Sequence, residues 1–373
     1  MKRLIHMFLI GIMSVSACNK VGEDVVQEYE DVYISAATTS VEVPTKVPYM
    51  LTAPTYDNPL NVDVWASTIS GEYEAGNLDG SGPDGIVKKH TTAKFQSSQN
   101  QLLSDIIYSD KNNGVYFVGF HPIGWEGKSV TENGKEVYNA TFGFTGCEDV
   151  MFAPQTKGSY GSETNPSLIF HHLLTYITVE IKIDAANTQE EESIINAWGD
   201  LTHLMISSSN RVSVGLSDSH YPDNASYNFD SGVAFENDNN STGSLNFFKK
   251  GTNTAFPDEN EGYKMRKEGE DVAYVMCSPV DASTANTEEY VLYIKTSNRD
   301  AMNVPLDLKT VDSSPYQGST RGKHFKVLLN FKKGENITIS TSVTDWATGG
   351  TAIGNIVEGN IQQENNTNNE NQS

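Results

Sequence analysis

Along much of this chain an apolar side chain stands at every second position. "YITVEIKI" puts Ile177, Val179, Ile181 and Ile183 on one side and Thr178, Glu180 and Lys182 on the other, a period of two that predicts a strand with one buried face. "HFKVLLNF" repeats the pattern with Phe325, Val327, Leu329 and Phe331. After the turn-forming "KKGEN" it resumes in "ITISTSV" with Ile337, Ile339, Thr341 and Val343, so the two runs predict a β-hairpin. "NVDVWAS", "VYFVGF", "RVSVGLS", "DVAYVM" and "YVLYIK" read as further strands. Alternation this regular implies antiparallel sheets with one face in water.

Helical periodicity is confined to two short runs. "SSQNQLLSDIIYS", residues 97–109, sets Leu102, Leu103, Ile106 and Ile107 on one helical face. "TQEEESIINAW", residues 188–198, offers Thr188 as a cap with acidic residues in the first turn. Each would lie singly across a sheet, and neither starts a βαβ repeat. Residues 73–92, 122–140 and 217–243 are rich in Gly, Asn, Asp and Ser and are expected as loops at the ends of all-β sandwiches. After Trp346 the pattern fades. Ile353, Ile356, Val357 and Ile361 form one weakly apolar stretch, and from Gln362 to Ser373 there is no apolar side chain to pack a core.

The first residues say where the protein works. Lys2 and Arg3 precede a mostly apolar run from Leu4 to Met13, too short to span a bilayer, and the small residues Val15, Ser16 and Ala17 lead to Cys18. The segment resembles the lipobox of bacterial lipoproteins, in which the cysteine is acylated and the chain is cut just before it. A multiply acylated Cys18 would anchor the protein to a membrane without crossing it. Such a cut removes two positive charges from a formal net charge of −22, giving −22 − 2 = −24. A chain so poor in Lys and Arg is not built for nucleic acid.

Chemistry is sparse. No CxxC, HExxH, GxSxG or phosphate-binding glycine loop occurs, and no cofactor or metal is expected. His171 and His172 are adjacent, so in a strand they point to opposite faces and cannot grip one ion together; one should face solvent and one be a satisfied core group. Cys147 and Cys277 could pair in an oxidising compartment or stand as separate core thiols. Trp65, Tyr116 and Trp125 are the aromatics available as a sugar-stacking platform, although an aromatic at a strand end is more often core.

Longer strings point to a family. "QLLSDIIYSDKNNGVYFVGFHPIGW", "DVMFAPQTKG" leading to "PSLIFHHLLTYITVEIKI", and "GKHFKVLLNFKKGENITISTSVTDW" resemble, in order, signature blocks of the fimbrillin family, with the likeness running from about residue 60 to Trp346. The resemblance implies two tandem transthyretin-like antiparallel β-sandwich domains with a few short helices and a role as a subunit of type V pili. It also implies a lipidated precursor whose first strand is cut away by a trypsin-like protease and replaced by a strand from a neighbouring subunit. Residues 31–37, "DVYISAA", with Val32 and Ile34 facing one way, are then the candidate removable strand. The family's protease favours Arg, but no Arg occurs between Arg3 and Arg211, which leaves Lys46 as the candidate processing site. Ile353, Ile356, Val357 and Ile361 would belong to a C-terminal donor strand.

The expected layout is a signal peptide over 1–17, a tether over 18–30, sandwich domains over 31–165 and 166–350, and an appendage with an Asn/Gln-rich tail over 351–373. The expected protein is a non-enzymatic fimbrial subunit or adhesin on the outer membrane, partnered by other pilus subunits and by host or bacterial surface ligands. Stalk, tip and basal anchor all stay open. The alternatives are a carbohydrate-binding surface lipoprotein and, with least support, a glycoside hydrolase hidden among the 48 carboxylates.

Overall fold

The structure is a computed structural model that describes residues 30–38, 60–73, 88–95, 101–108, 114–132, 135–159, 166–207, 211–216, 232–236, 243–258, 260–280, 290–309, 315–334 and 337–345. Nine strands come first: β1 (Glu30–Thr38), β2 (Leu60–Ser67), β3 (Lys88–Phe95), β4 (Gln101–Tyr108), β5 (Val115–His121), β6 (Glu126–Glu132), β7 (Lys135–Gly143), β8 (Met151–Gly158) and β9 (Ser167–His172). Next are β10 (Thr175–Asp184), helix α1 (Thr188–Trp198), β11 (Leu201–Ser207), β12 (Arg211–Leu216), β13 (Val233–Glu236), β14 (Ser244–Lys249) and β15 (Ala255–Phe256). The chain ends its described course with β16 (Glu270–Cys277), β17 (Val291–Thr296), β18 (Arg299–Pro305), β19 (Lys323–Lys332) and β20 (Ile337–Asp345).

These strands form three sheets. A seven-stranded sheet has the order β3-β2-β5-β8-β9-β1-β4, a nine-stranded one runs β18-β17-β11-β14-β16-β10-β19-β20 with β15 on β14, and a four-stranded one runs β13-β12-β7-β6. The all-β architecture expected from alternation is the one observed. Phe325, Val327, Leu329 and Phe331 are all buried, and β19 pairs with β20 from Lys323↔Asp345 to Phe331↔Ile337 as the hairpin expectation requires. Gly334, in the connecting turn, has φ 110°, a conformation that a side chain would strain. Two pairings are parallel, β1 with β9 and β10 with β19, so the sheets are mixed where regular alternation suggested antiparallel neighbours throughout.

Sheet membership crosses residue 165 twice. β9 belongs to the seven-stranded sheet, and β12 with β13 joins β7. Only Leu173 and Leu174, both buried, separate β9 from β10.

Several local expectations need correction. Residues 101–108, read as a helix, form strand β4. Against β1, Asp31 faces Ile107 while Val32 faces Leu103, so residues 104–106 fall out of register. That break resets the period of two and leaves apolar pairs four positions apart, which imitates a helical face. The span 122–140, read as loop, contains β6 and the start of β7, and the loops expected over 73–92 and 217–243 contain the start of β3 and all of β13. β3 and β6 are largely polar and carry no apolar alternation to reveal them, and β13, only four residues long, is too short to show a period.

One helix is present among the described residues. Its cap is Asn187, whose side chain accepts from the Glu190 amide at 2.9 Å, and Thr188 is already the first helical residue. The Glu190 carboxylate reaches back to the Ala186 amide at 2.8 Å, completing a reciprocal cap. Ile194 and Trp198 are buried, and the Trp198 indole donates to the Lys332 carbonyl at 3.0 Å while Arg299 lies 5.1 Å from its ring.

Candidate functional site: the slot of the first strand

β1 occupies a split position. Glu30 to Ile34 pair antiparallel with β4, from Glu30↔Tyr108 to Ile34↔Gln101, and Ser35 to Thr38 pair parallel with β9, from Ser35↔Ser167 to Thr38↔Phe170. It is thus the connection between edge strand β4 and the rest of its sheet. Taken out of this order, it would leave unpaired backbone on both β9 and β4.

Both strands that β1 joins contribute to an apolar layer separate from the main core. Val62 and Val64 of β2, Phe117 of β5, Leu168 and Phe170 of β9 and Leu103 of β4 are among its buried members. β9 crosses β5 closely because residue 119 is glycine: a Cβ there would meet the Phe170 ring at 2.7 Å and Leu168 at 3.1 Å. The strand that flanks β1 is therefore seated by the lack of a side chain on its neighbour.

The end of this layer is polar and buried. His121 stands opposite Met151, and Met151 stands opposite His172, so the two histidines flank one β8 residue. His172 Nδ1 donates to Asp149 Oδ1 at 2.8 Å, and His121 Nδ1 donates to the Asn61 carbonyl at 2.7 Å. Among the described residues, His121 Nε2 and Asp149 Oδ2 have no hydrogen-bond partner. Burial holds the His121 pKa below its ordinary value, only partly offset by the Asp149 charge. β9 meets β8 at just two positions, Met151↔His172 and Phe152↔His171, so the His172–Asp149 pair fastens a short seam.

The connection from β7 to β8 seats Asp149. Glu148 Oε2 accepts from the amides of Thr145, Gly146 and Cys147 at 2.7, 3.2 and 3.2 Å, and the Gly146 carbonyl accepts from Met276 of β16 at 2.7 Å. Gly146 has φ 108°, and a Cβ there would stand 3.1 Å from Val275.

The site residues expected from sequence are placed unequally. Val32 and Ile34 lie in β1, opposite Leu103 and Gln101. Cys18, Lys46, Ile353, Ile356, Val357 and Ile361 lie outside the described residues. Cys147 and Cys277 are both buried, with no disulfide between them, so they stand as separate core thiols. His172 is buried and paired with Asp149, and His171 on the opposite face is half-buried, as strand geometry requires. Trp65 and Trp125 are 2% and 7% exposed and sit in the core, so they cannot form a sugar platform; Tyr116 is half-buried with Lys157 over its ring. Among the described residues no group of three or more His, Cys, Asp or Glu could hold a metal ion. His121, Asp149 and Gly119 were missed by sequence reasoning, since nothing in their local strings marks a partner distant in the chain.

A crystal structure of a proposed cell adhesion protein from Bacteroides uniformis is 15% identical, with 85% of this chain and 98% of that chain covered and a TM-score of 0.45. A proposed cell adhesion protein from Bacteroides ovatus is 14% identical over 86% of this chain and 99% of that one, with a TM-score of 0.43. A fimbrial assembly protein from Parabacteroides distasonis is 9% identical over 85% and 97%, with a TM-score of 0.36. No curated protein sequence matches the chain significantly. The fimbrillin-like family model matches residues 52–346, and the chain belongs to the fimbrillin-like family.

Proposed function

We propose that this protein is a surface-exposed fimbrial subunit or adhesin that joins other pilus subunits by strand complementation. It is exported as a lipoprotein anchored to the outer membrane through Cys18. Family membership supports the fimbrial role, and the placement of β1 supports the mechanism. A strand that joins β4 to β9, both of which bury side chains in a separate apolar layer, leaves, when removed, two unpaired edges that a foreign extended segment repairs at once. Repeated head to tail, the contact does not close and gives a filament.

In this reading, cleavage at Lys46 frees β1, and the stretch containing Ile353, Ile356, Val357 and Ile361 supplies the incoming strand. Surface ligands of host or bacterial origin would be its targets as an adhesin. Trypsin digestion of the purified soluble chain near Lys46 tests it, with assembly followed by light scattering and electron microscopy. Filaments are expected after the cut. A chain that stays monomeric once everything before Val47 is cleanly removed would refute strand complementation, whereas resistance at Lys46 would assign the protein to the base of the fibre with β1 and lipid retained.

A further inference from the structure

The pairing of β11 with β14 ends with Ser207 directly opposite Ser244, the last residue of one strand facing the first of the other. A two-residue turn would close such a hairpin. The chain instead departs for residues 208–243, and the strands formed in that excursion leave the second sheet. β12 pairs with β7 along its whole length, from Arg211↔Gly143 to Leu216↔Tyr138, and β13 pairs with the other side of β12.

The register shows what this arm covers. Val212 stands opposite Phe142 and Phe235, and Val214 opposite Ala140 and Val233, so these positions share one face with Tyr138 of β7. Val212, Val233 and Ala140 are buried in the main core. On that side Trp125 stacks on Phe142 at 5.6 Å, and Trp65 lies 5.5 Å from Tyr138. Half the strands of the layer over Trp65 and Trp125 thus come from an insertion in a hairpin of the other sheet.

We propose that residues 208–243 are a built-in clamp: an arm of the second sheet that completes the first sandwich, so that the two parts of the chain unfold as one unit. Such a clamp is independent of strand complementation and serves a stalk, tip or anchor subunit alike. The alternative, an accessory hairpin resting on a finished domain, would leave β7 satisfied without it. Instead β7 is paired on both sides, by β6 and by β12, and loses one whole ladder if the arm departs.

The test replaces residues 208–243 in the full chain by Asn-Gly, which closes the Ser207–Ser244 hairpin, and follows urea unfolding by fluorine NMR of 5-fluorotryptophan. Trp65 and Trp125 report on the first part and Trp198 on the second. In the unaltered protein the signals of Trp65, Trp125 and Trp198, assigned apart from that of the fourth tryptophan, Trp346, are expected to disappear at one midpoint. In the excised chain the Trp65 and Trp125 signals should shift and be lost at lower urea, while Trp198 keeps its midpoint. Separate midpoints in the unaltered protein, or Trp65 and Trp125 signals indifferent to excision, would overturn the proposal. Should the excised chain not fold, native-state hydrogen exchange on the unaltered protein decides: amides of β12 must open as rarely as those of β5 and β8, and exchange a hundredfold faster would refute the clamp.

Discussion

Acid should weaken this protein through one histidine on the second sheet. His324 of β19 bonds Thr178 at 2.8 Å through Nε2 and lies tilted against the Tyr176 ring at 4.5 Å, with Lys250 and Lys326 close by. Burial, first, and these lysines, against the pull of Asp271, lower its pKa from 6.5 to about 4. Below pH 6.5 the unfolded chain takes up a proton that the folded chain refuses until about pH 4, so stability falls through that window and levels off beneath it. The full gap is worth about 3 kcal/mol, of which ~2 kcal/mol is already lost at pH 5; since the ring is only partly enclosed, screening reduces the expected loss there to about 1 kcal/mol. Urea midpoints at pH 7.5 and pH 5 for the native chain and for His324→Gln, which retains a partner for Thr178, isolate this contribution from the other histidines. The variant should lose less stability on acidification by that amount. Equal losses in both proteins would refute the assignment.

Two further outcomes are expected. Gly119→Val drives a side chain into Phe170 and should cost ~1–3 kcal/mol in urea unfolding, with faster hydrogen exchange in β9 and β1 than in β19; uniform exchange would argue against a seating role for Gly119. Asn187→Ala should cost about 1 kcal/mol and Thr188→Ala almost nothing, because the Glu190 amide is capped by residue 187 alone; the reverse ranking in thermal melts would restore Thr188 as the cap.

The sheets were legible wherever a strand buries one face and wets the other. β10, β19 and β20 announce themselves through Ile177, Val179, Phe325 and Val327, because burial on one side imposes alternation that single residues report. β4 was not legible, since its register break hides the period. β6 is a strand of the four-stranded sheet whose polar composition matches a loop as well as a sheet edge, and β13, only Val233–Glu236, is too short to display a period. The surroundings of β1 were half legible: "DVYISAA" lies within a strand, but its division between an antiparallel and a parallel partner depends on strands more than sixty residues away. Asp149 and His121 are brought to His172 only by the order of β5, β8 and β9, a property of topology and not of local pattern.

The passage from β9 to β10 gives the molecule no slack. Leu173 and Leu174 are its whole length, and β10 lies at once beside β19, rung by rung from Tyr176↔His324 to Asp184↔Lys332 in parallel register. Tension entering along β9 would therefore load that entire ladder sideways in a single step instead of peeling its bonds in succession, the arrangement in which a sheet resists being pulled apart most strongly.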